Sequence, residues 1–411
     1  MRGTRWSFSQ KIEDDGRTHF INIPCDNIKQ KFRVLELVQA GSYGDTLRCQ
    51  LWYSDKANNK AGFHSQVYTL SCVQQSKFSK NEKKFYLKSA YNLSQLKDAP
   101  NVSRFTYTYR SSNSYFFMYK EPPCNISDEL KAKIEQYRRY TPSKIINDIQ
   151  AKEGMTIPLR PPNLFEYLIV RGKPLNLGDI QIIAKDLLMS LQQIHQKEIV
   201  HLDLQPSNLL VIDDLDEAEA GSKKEPDGKK EKIESASNAD SNSQYSCHDG
   251  DQQKFIHITN FCNSSGFTRK KFSTNQISSL YFMSPERIQG EIDTENDYEM
   301  AKADIWSVGV ILFTLVFGKP PFDGNANSPL VKTIKKGKIK LQEKGWNENL
   351  QTFIQLVMAM LKVDLHDRLG VVEAINHEFF LIDNATLKEL DFKKQTLLNL
   401  GSFWNQMQLK N

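Results

Sequence analysis

The sequence predicts an α+β fold in two parts, a small β-rich lobe followed by a large helical one. Two observations predict it. Residues 32–76 hold three β-prone runs, "FRVLELV", "TLRCQLW" and "QVYTLSCV", separated by a glycine-containing turn and the polar loop "YSDKANNKAG", the pattern of an antiparallel meander. From residue 177 the apolar positions change to helical spacing, with Ile180, Ile183, Ala184, Leu187, Leu188, Leu191 and Ile194 on one stripe.

The elements follow in order. After the meander, Lys77 to Leu96 carries an imperfect helical stripe, and two further strands are expected in "SRFTYTYRS" and "SYFFMY". Between Glu121 and Pro162, "DELKAKIEQYRRY" is able to form a helix and "IPLRPPN" is not. Asn176 stands three residues before Asp179 as the cap of the striped helix. Residues 213–253 mix charges with Ser, Asn and Gly and offer few large apolar groups, so disorder is expected there. From Asp304 to Phe317 the chain is apolar nearly all round and stops at Gly318, which suits a buried helix. Its longest apolar run is shorter than the roughly 20 residues of a membrane span.

The 411 residues are 39% hydrophobic and 25% charged, enough for one large or two modest domains. A formal charge of +5, without a basic stripe interleaved with aromatics, argues against nucleic acid as partner. The six cysteines are scattered and form no C-x-x-C pair, which points to a reducing, intracellular setting, taken as cytoplasmic. The start "MRGTRWSFSQ" has no apolar segment of the secretory kind, and no membrane association is expected.

The stretch "VHLDLQPSNLLVI", residues 200–212, sets a His-x-Asp ahead of an Asn five residues past the Asp. With "MSPE" at Met283–Glu286, "DIWSVGVILF" from Asp304 and Arg368 in "DLHDRLG", it gives a set of motifs in the order that eukaryotic protein kinases use. The chain resembles that family over residues 32–380. The resemblance implies a two-lobed fold with a first lobe at 32–118, a hinge after Met118, and a second lobe at 119–380. Residues 121–162 and 213–253 are then insertions, 1–31 an N-terminal extension and 381–411 a tail.

The resemblance also assigns roles. Asp203 matches the catalytic base and Asn208 a metal ligand; Gly41 and Gly44 in "QAGSYGDT" match the phosphate loop, with Gln39 at its first glycine position. Ser71 stands in the place of the phosphate-binding Lys, and Ser89 or Ala90 in that of its Glu partner. Asn260 of "NFC" replaces the metal-binding Asp, Cys262 the following Gly, Leu202 an Arg and Gln205 a Lys. A rival alignment placing Lys88 in the Lys role leaves too few residues for the next helix. Arg48 is a candidate substitute cation, against the plainer reading of a strand-face charge.

Each preorganised charge stabiliser removed from such a site costs on the order of 10² to 10³ in rate. The expectation is therefore a pseudokinase acting through protein partners, with ATP a weak ligand and Mg²⁺ weakly held or not held. The alternatives are an active Ser/Thr kinase using Asp203, with Asn208 and Asn260 for metal, and an enzyme moving a different group, such as a nucleotidyl.

Overall fold

The computed structural model describes residues 13–14, 19–25, 28–40, 44–55, 60–74, 76, 94–96, 99, 101–110, 114–139, 159–215, 255–261, 264–266, 280–290, 297–322, 329–339, 341, 346–388 and 394–408. The first part is one antiparallel sheet in the order β1-β2-β3-β4-β5-β7-β6. Its strands are β1 (Glu13–Asp14), β2 (His19–Cys25), β3 (Ile28–Ala40), β4 (Gly44–Asp55), β5 (Lys60–Gln74), β6 (Phe105–Arg110) and β7 (Ser114–Lys120). Three of these are the expected meander lengthened at both ends, because hairpin pairing continues outward through Trp52 opposite Phe63 to Asp55 opposite Lys60. The edge contributed by residues 13–25 was expected to lie outside the lobe. Instead β2 pairs with β3 from Phe20 opposite Arg33 to Cys25 opposite Ile28, so the lobe begins well before residue 32.

The two faces of the sheet bury different things, as period-two alternation requires. Phe32, Val34, Leu47, Cys49, Leu70, Cys72, Phe116 and Met118 form a separate cluster on one face. Val73, Tyr115, Phe117 and Tyr119 join the large core that continues into the helical part. The second face is thus turned toward the helices.

The helical part comprises α1 (Asp128–Arg139), α2 (Leu164–Arg171), α3 (Leu177–Gln196), α4 (Pro285–Gln289), α5 (Lys302–Phe317), α6 (Pro329–Lys336), α7 (Glu348–Met360), α8 (Val371–Ile375), α9 (Asn384–Leu387) and α10 (Lys394–Gln408). Asn176 caps α3 through a reciprocal pair with Asp179, as its spacing predicts. Helix α5 is buried along nearly its whole length and ends where Gly318 adopts a left-handed φ of 68°. With the turn before it, the run Glu299–Phe317 is long and apolar enough to cross a membrane, yet 89% of it is buried inside the protein. The apolar run is therefore longer than the sequence suggested, and it serves as the central helix of the core.

Short antiparallel pairs connect these helices to the site: β8 (Ile199–Val200) with β11 (Ser265–Gly266), and β9 (Leu209–Val211) with β10 (Ile256–Ile258). Residues 213–215, expected to open the insertion at 213–253, are part of the described fold. Asp214 accepts from Tyr167 Oη at 2.7 Å and Ser127 Oγ at 3.1 Å, and Leu215 is fully buried. Residues 216–253, where disorder was expected, lie outside the described residues, as do Lys77–Leu93, including Ser89 and Ala90. The tail at 381–411 contributes α10, whose Leu400 and Phe403 are buried in the helical core.

Candidate functional site

Helix α5 organises the loop that carries Asp203. Asp304 accepts the backbone N–H groups of His201 and Leu202, each at 2.8 Å, and binds His195 Nε2 at 3.0 Å. Burial would raise the pKa of this carboxyl. His195 and the other donors outweigh it and hold the pKa below the usual Asp value. His201 is held neutral. Burial depresses its pKa, Nδ1 accepts from the Asp203 N–H, and Nε2 therefore donates to the Thr259 carbonyl at 3.0 Å.

The pairing of β9 with β10 brings the remaining candidates together. It places Leu209 opposite Ile258, and Thr259 N donates to the Asn208 carbonyl at 3.0 Å. Asp203, Asn208 and Asn260 then converge. Asn208 Nδ2 donates to the Asp203 carbonyl at 2.6 Å and to Asp203 Oδ2 at 3.3 Å, while Gln205 Nε2 approaches Oδ1 at 3.3 Å. Asn260, at a left-handed φ of 65°, donates its amide to Asn208 Oδ1 at 3.1 Å.

Mg²⁺ favours hard anionic oxygen, and these residues fit it poorly. Asn260 offers a neutral amide in place of a carboxylate, and its N–H group points at the oxygen that Asn208 would present to a cation.

Leu202 also has a left-handed φ, 64°, and its side chain packs with Val200, Met300, Ala301 and Ala303. The position that carries Arg in the resembling family is an apolar plug here. A cation the sequence reading missed lies close by. Arg287, buried, donates to the Leu202 carbonyl, with Asp203, Asp304 and Glu286 near enough to favour its charge. Burial is the larger effect and lowers its pKa from the usual Arg value. Its place directly after the "MSPE" motif was the available signal. Arg368 holds Glu286 bidentately at 2.8 and 2.9 Å, tying that motif to the end of the helical lobe.

The sheet carries the other candidates. Ser71 lies in β5 between Thr46 of β4 and Phe117 of β7, only 3% exposed, on the face turned toward the helices. Gly44 opens β4 opposite Val73, and Gly41 lies outside the described residues. Met118, which the resemblance implies as a nucleotide-contacting residue at the end of its strand, pairs with Leu70 and packs in the cluster on the opposite face, and β7 runs on to Lys120. The hinge begins at Glu121.

Arg48, the candidate substitute cation, faces the helical side but is engaged elsewhere. Its guanidinium grips Glu121 with contacts of 2.9, 2.9 and 2.6 Å, and both residues are buried. A charge held in this way is not presented to a phosphate.

Comparison with known proteins bears on the fold. The family described as protein kinase domain matches residues 56–380. Over 222 residues the chain is 26% identical to calcium-dependent protein kinase 5 of Plasmodium berghei (strain Anka), covering 53% of this chain and 31% of that protein. It is likewise 26% identical over 222 residues to the phosphorylase b kinase gamma catalytic chain, liver/testis isoform, of Bos taurus, covering 54% of this chain and 45% of that one. The chain thus spans less than half the length of these curated relatives.

Proposed function

The chain belongs to the protein kinase domain family, and from that premise we propose that it is a catalytically impaired member acting through protein contacts, with weak ATP binding to which Mg²⁺ adds little. The family in general uses ATP, Mg²⁺ and protein substrates. The observation that carries the proposal is the hydrogen bond from Asn260 to Asn208, which joins two neutral amides where phosphoryl transfer needs a cation held by anionic oxygen. Ser71 and the engagement of Arg48 with Glu121 support it from the side of the sheet.

The partners in this proposal are intracellular proteins, consistent with scattered cysteines and modest net charge. A second reading, an active Ser/Thr kinase, is favoured by one observation: Asp203 and Asn208 stand in one hydrogen-bonded loop. Incubation with labelled ATP and Mg²⁺ or Mn²⁺ separates the two. No transfer above an Asp203→Asn control is expected, and clear Asp203-dependent transfer would reject the impaired reading.

A further inference from the structure

Beside the hinge lies a buried group of charges that the kinase chemistry does not use. Arg160, near the end of the 121–162 insertion, puts its Nη2 3.2 Å from Glu166 Oε1 of α2 and its Nε 3.7 Å from Glu36 Oε1 of β3. Arg138 of α1, from the same insertion, completes the helical side. It binds Glu166 Oε2 at 2.8 Å and the Arg160 carbonyl at 2.7 Å. On the side of the sheet, Glu36 stands opposite Arg48, which holds Glu121 at the hinge. Three guanidinium groups thus meet three carboxylates, with no net charge.

Arg160 carries ion pairs to both lobes, and Arg138 also feels the charge of Glu36. Arg160 is anchored to the helical lobe by a hydrogen bond to Glu166 and by the Arg138 grip on its carbonyl. Its contact with Glu36 is an ion pair too long for a hydrogen bond. All four side chains of this part are 11–15% exposed, so the attraction is screened less than at an open surface. Burial opposes the charge of Arg160, but the carboxylates of Glu166, Glu36 and Glu121 outweigh it and raise its pKa above the usual Arg value. Glu166 moves the other way. Burial is outweighed there by Arg160 and Arg138, and its pKa falls to about 2.

We propose that Arg160 is an interlobe clasp, bridging Glu36 and Glu166 and fixing the angle between the lobes with no ligand in the cleft. The device does not depend on nucleotide or on catalysis, so its test is separate from that of the proposed function. The labile step is the Glu36 contact, and opening the clasp there leaves the Arg138–Glu166–Arg160 group of the helical lobe intact.

The test uses the full chain without nucleotide, comparing the natural protein with Glu36→Gln and Glu36→Asp by hydrogen exchange and small-angle scattering. The hinge amides report opening, because Glu121 N bonds the Val67 carbonyl at 3.1 Å and Asn125 N bonds the Ile212 carbonyl at 2.8 Å. The expected result is a rise of roughly 5- to 10-fold in exchange at the Glu121 and Asn125 amides for both variants, with a larger radius of gyration and unchanged exchange in α3. Glu36→Asp keeps the charge and shortens the reach, so it distinguishes a bridge from a need for negative charge. Unchanged hinge exchange and radius would overturn the proposal, and so would a rise spread evenly through α3.

Discussion

Replacing Arg48 with Met should destabilise the protein sharply and leave its response to ATP unchanged. Arg48 and Glu121 are 2% and 8% exposed and share three contacts of 2.9 Å or less. Removing the cation strands a carboxylate away from water, which costs about 3–5 kcal/mol. For a domain of this size that corresponds to a fall in Tm of roughly 5 °C. Replacing both partners, as Arg48→Met with Glu121→Gln, removes the stranded charge and should recover much of the loss, giving a coupling of about 2 kcal/mol or more in a double-mutant cycle. Urea denaturation of the four proteins measures the cycle, and ATP titration of each by thermal shift measures the second half of the prediction. Additive effects, or a cost below about 1 kcal/mol for Arg48→Met, would contradict a buried structural pair. Loss of an ATP-dependent shift in the folded Arg48→Met protein would instead make this residue a phosphate ligand.

Three other expectations are independent of that pair. ATP should raise the melting temperature little, with or without Mg²⁺, whereas Asn260→Asp should introduce a Mg²⁺-dependent increment; an equally small shift in that variant would show that the metal site is limited by something other than position 260. Glu166 has a folded pKa of about 2 against an ordinary 4.5, so its stabilisation is complete above about pH 4.5 and is lost as pH falls toward 2. Glu166→Gln should therefore lower stability at neutral pH, by on the order of 3 kcal/mol, and flatten the acid limb of the stability profile; parallel profiles for the two proteins would refute this. Gly318→Ala must place a Cβ 2.8 Å from the Thr396 carbonyl of α10 at a φ of 68°, costing about 2 kcal/mol and loosening α10, which proteolysis at the C-terminus would report as faster cleavage.

Much of this fold was legible in the residues because each signal was local. Asn176 and Asp179 make a reciprocal cap by spacing alone, and the stripe from Ile180 to Ile194 faces the core as helical period demands. Strand ends were less legible, since they depend on a partner strand. Ser114–Lys120 reads as a strand from its aromatic residues, but only pairing with β5 shows that it passes Met118 and which face that residue takes. The Asn208–Asn260 contact followed the same pattern. The sequence marked both positions by motif, and the β9–β10 register, which spans the long stretch between them, brings them within 3.1 Å. Arg160 was not legible, because nothing in the spacing of a charged loop residue says which distant carboxylate it will meet, and Arg287 was marked only by its place after "MSPE".

The substitutions at this site share a physical logic. In the resembling family, a strand Lys, a metal Asp and a loop Arg direct charge outward, toward phosphates or a phosphorylated segment. Here Ser71 is buried between strands, Asn260 is bonded to Asn208, and Leu202 joins an apolar cluster. Two cations among the described residues point inward. Arg48 grips Glu121, and Arg287 donates to the Leu202 carbonyl. A buried guanidinium is stable only with its carboxylate or carbonyl partners in place, since desolvation otherwise outweighs any attraction. Restoring Lys at position 71 alone would therefore add a buried ammonium with no anionic partner supplied by Asn260, at a cost of several kcal/mol. Ser71→Lys should lower the Tm and add no transfer activity, whereas Ser71→Lys combined with Asn260→Asp should regain stability when ATP and Mg²⁺ are both present. A single Ser71→Lys variant with full stability and tight ATP binding would mean that the cleft still has an anionic partner which these neighbouring residues do not provide.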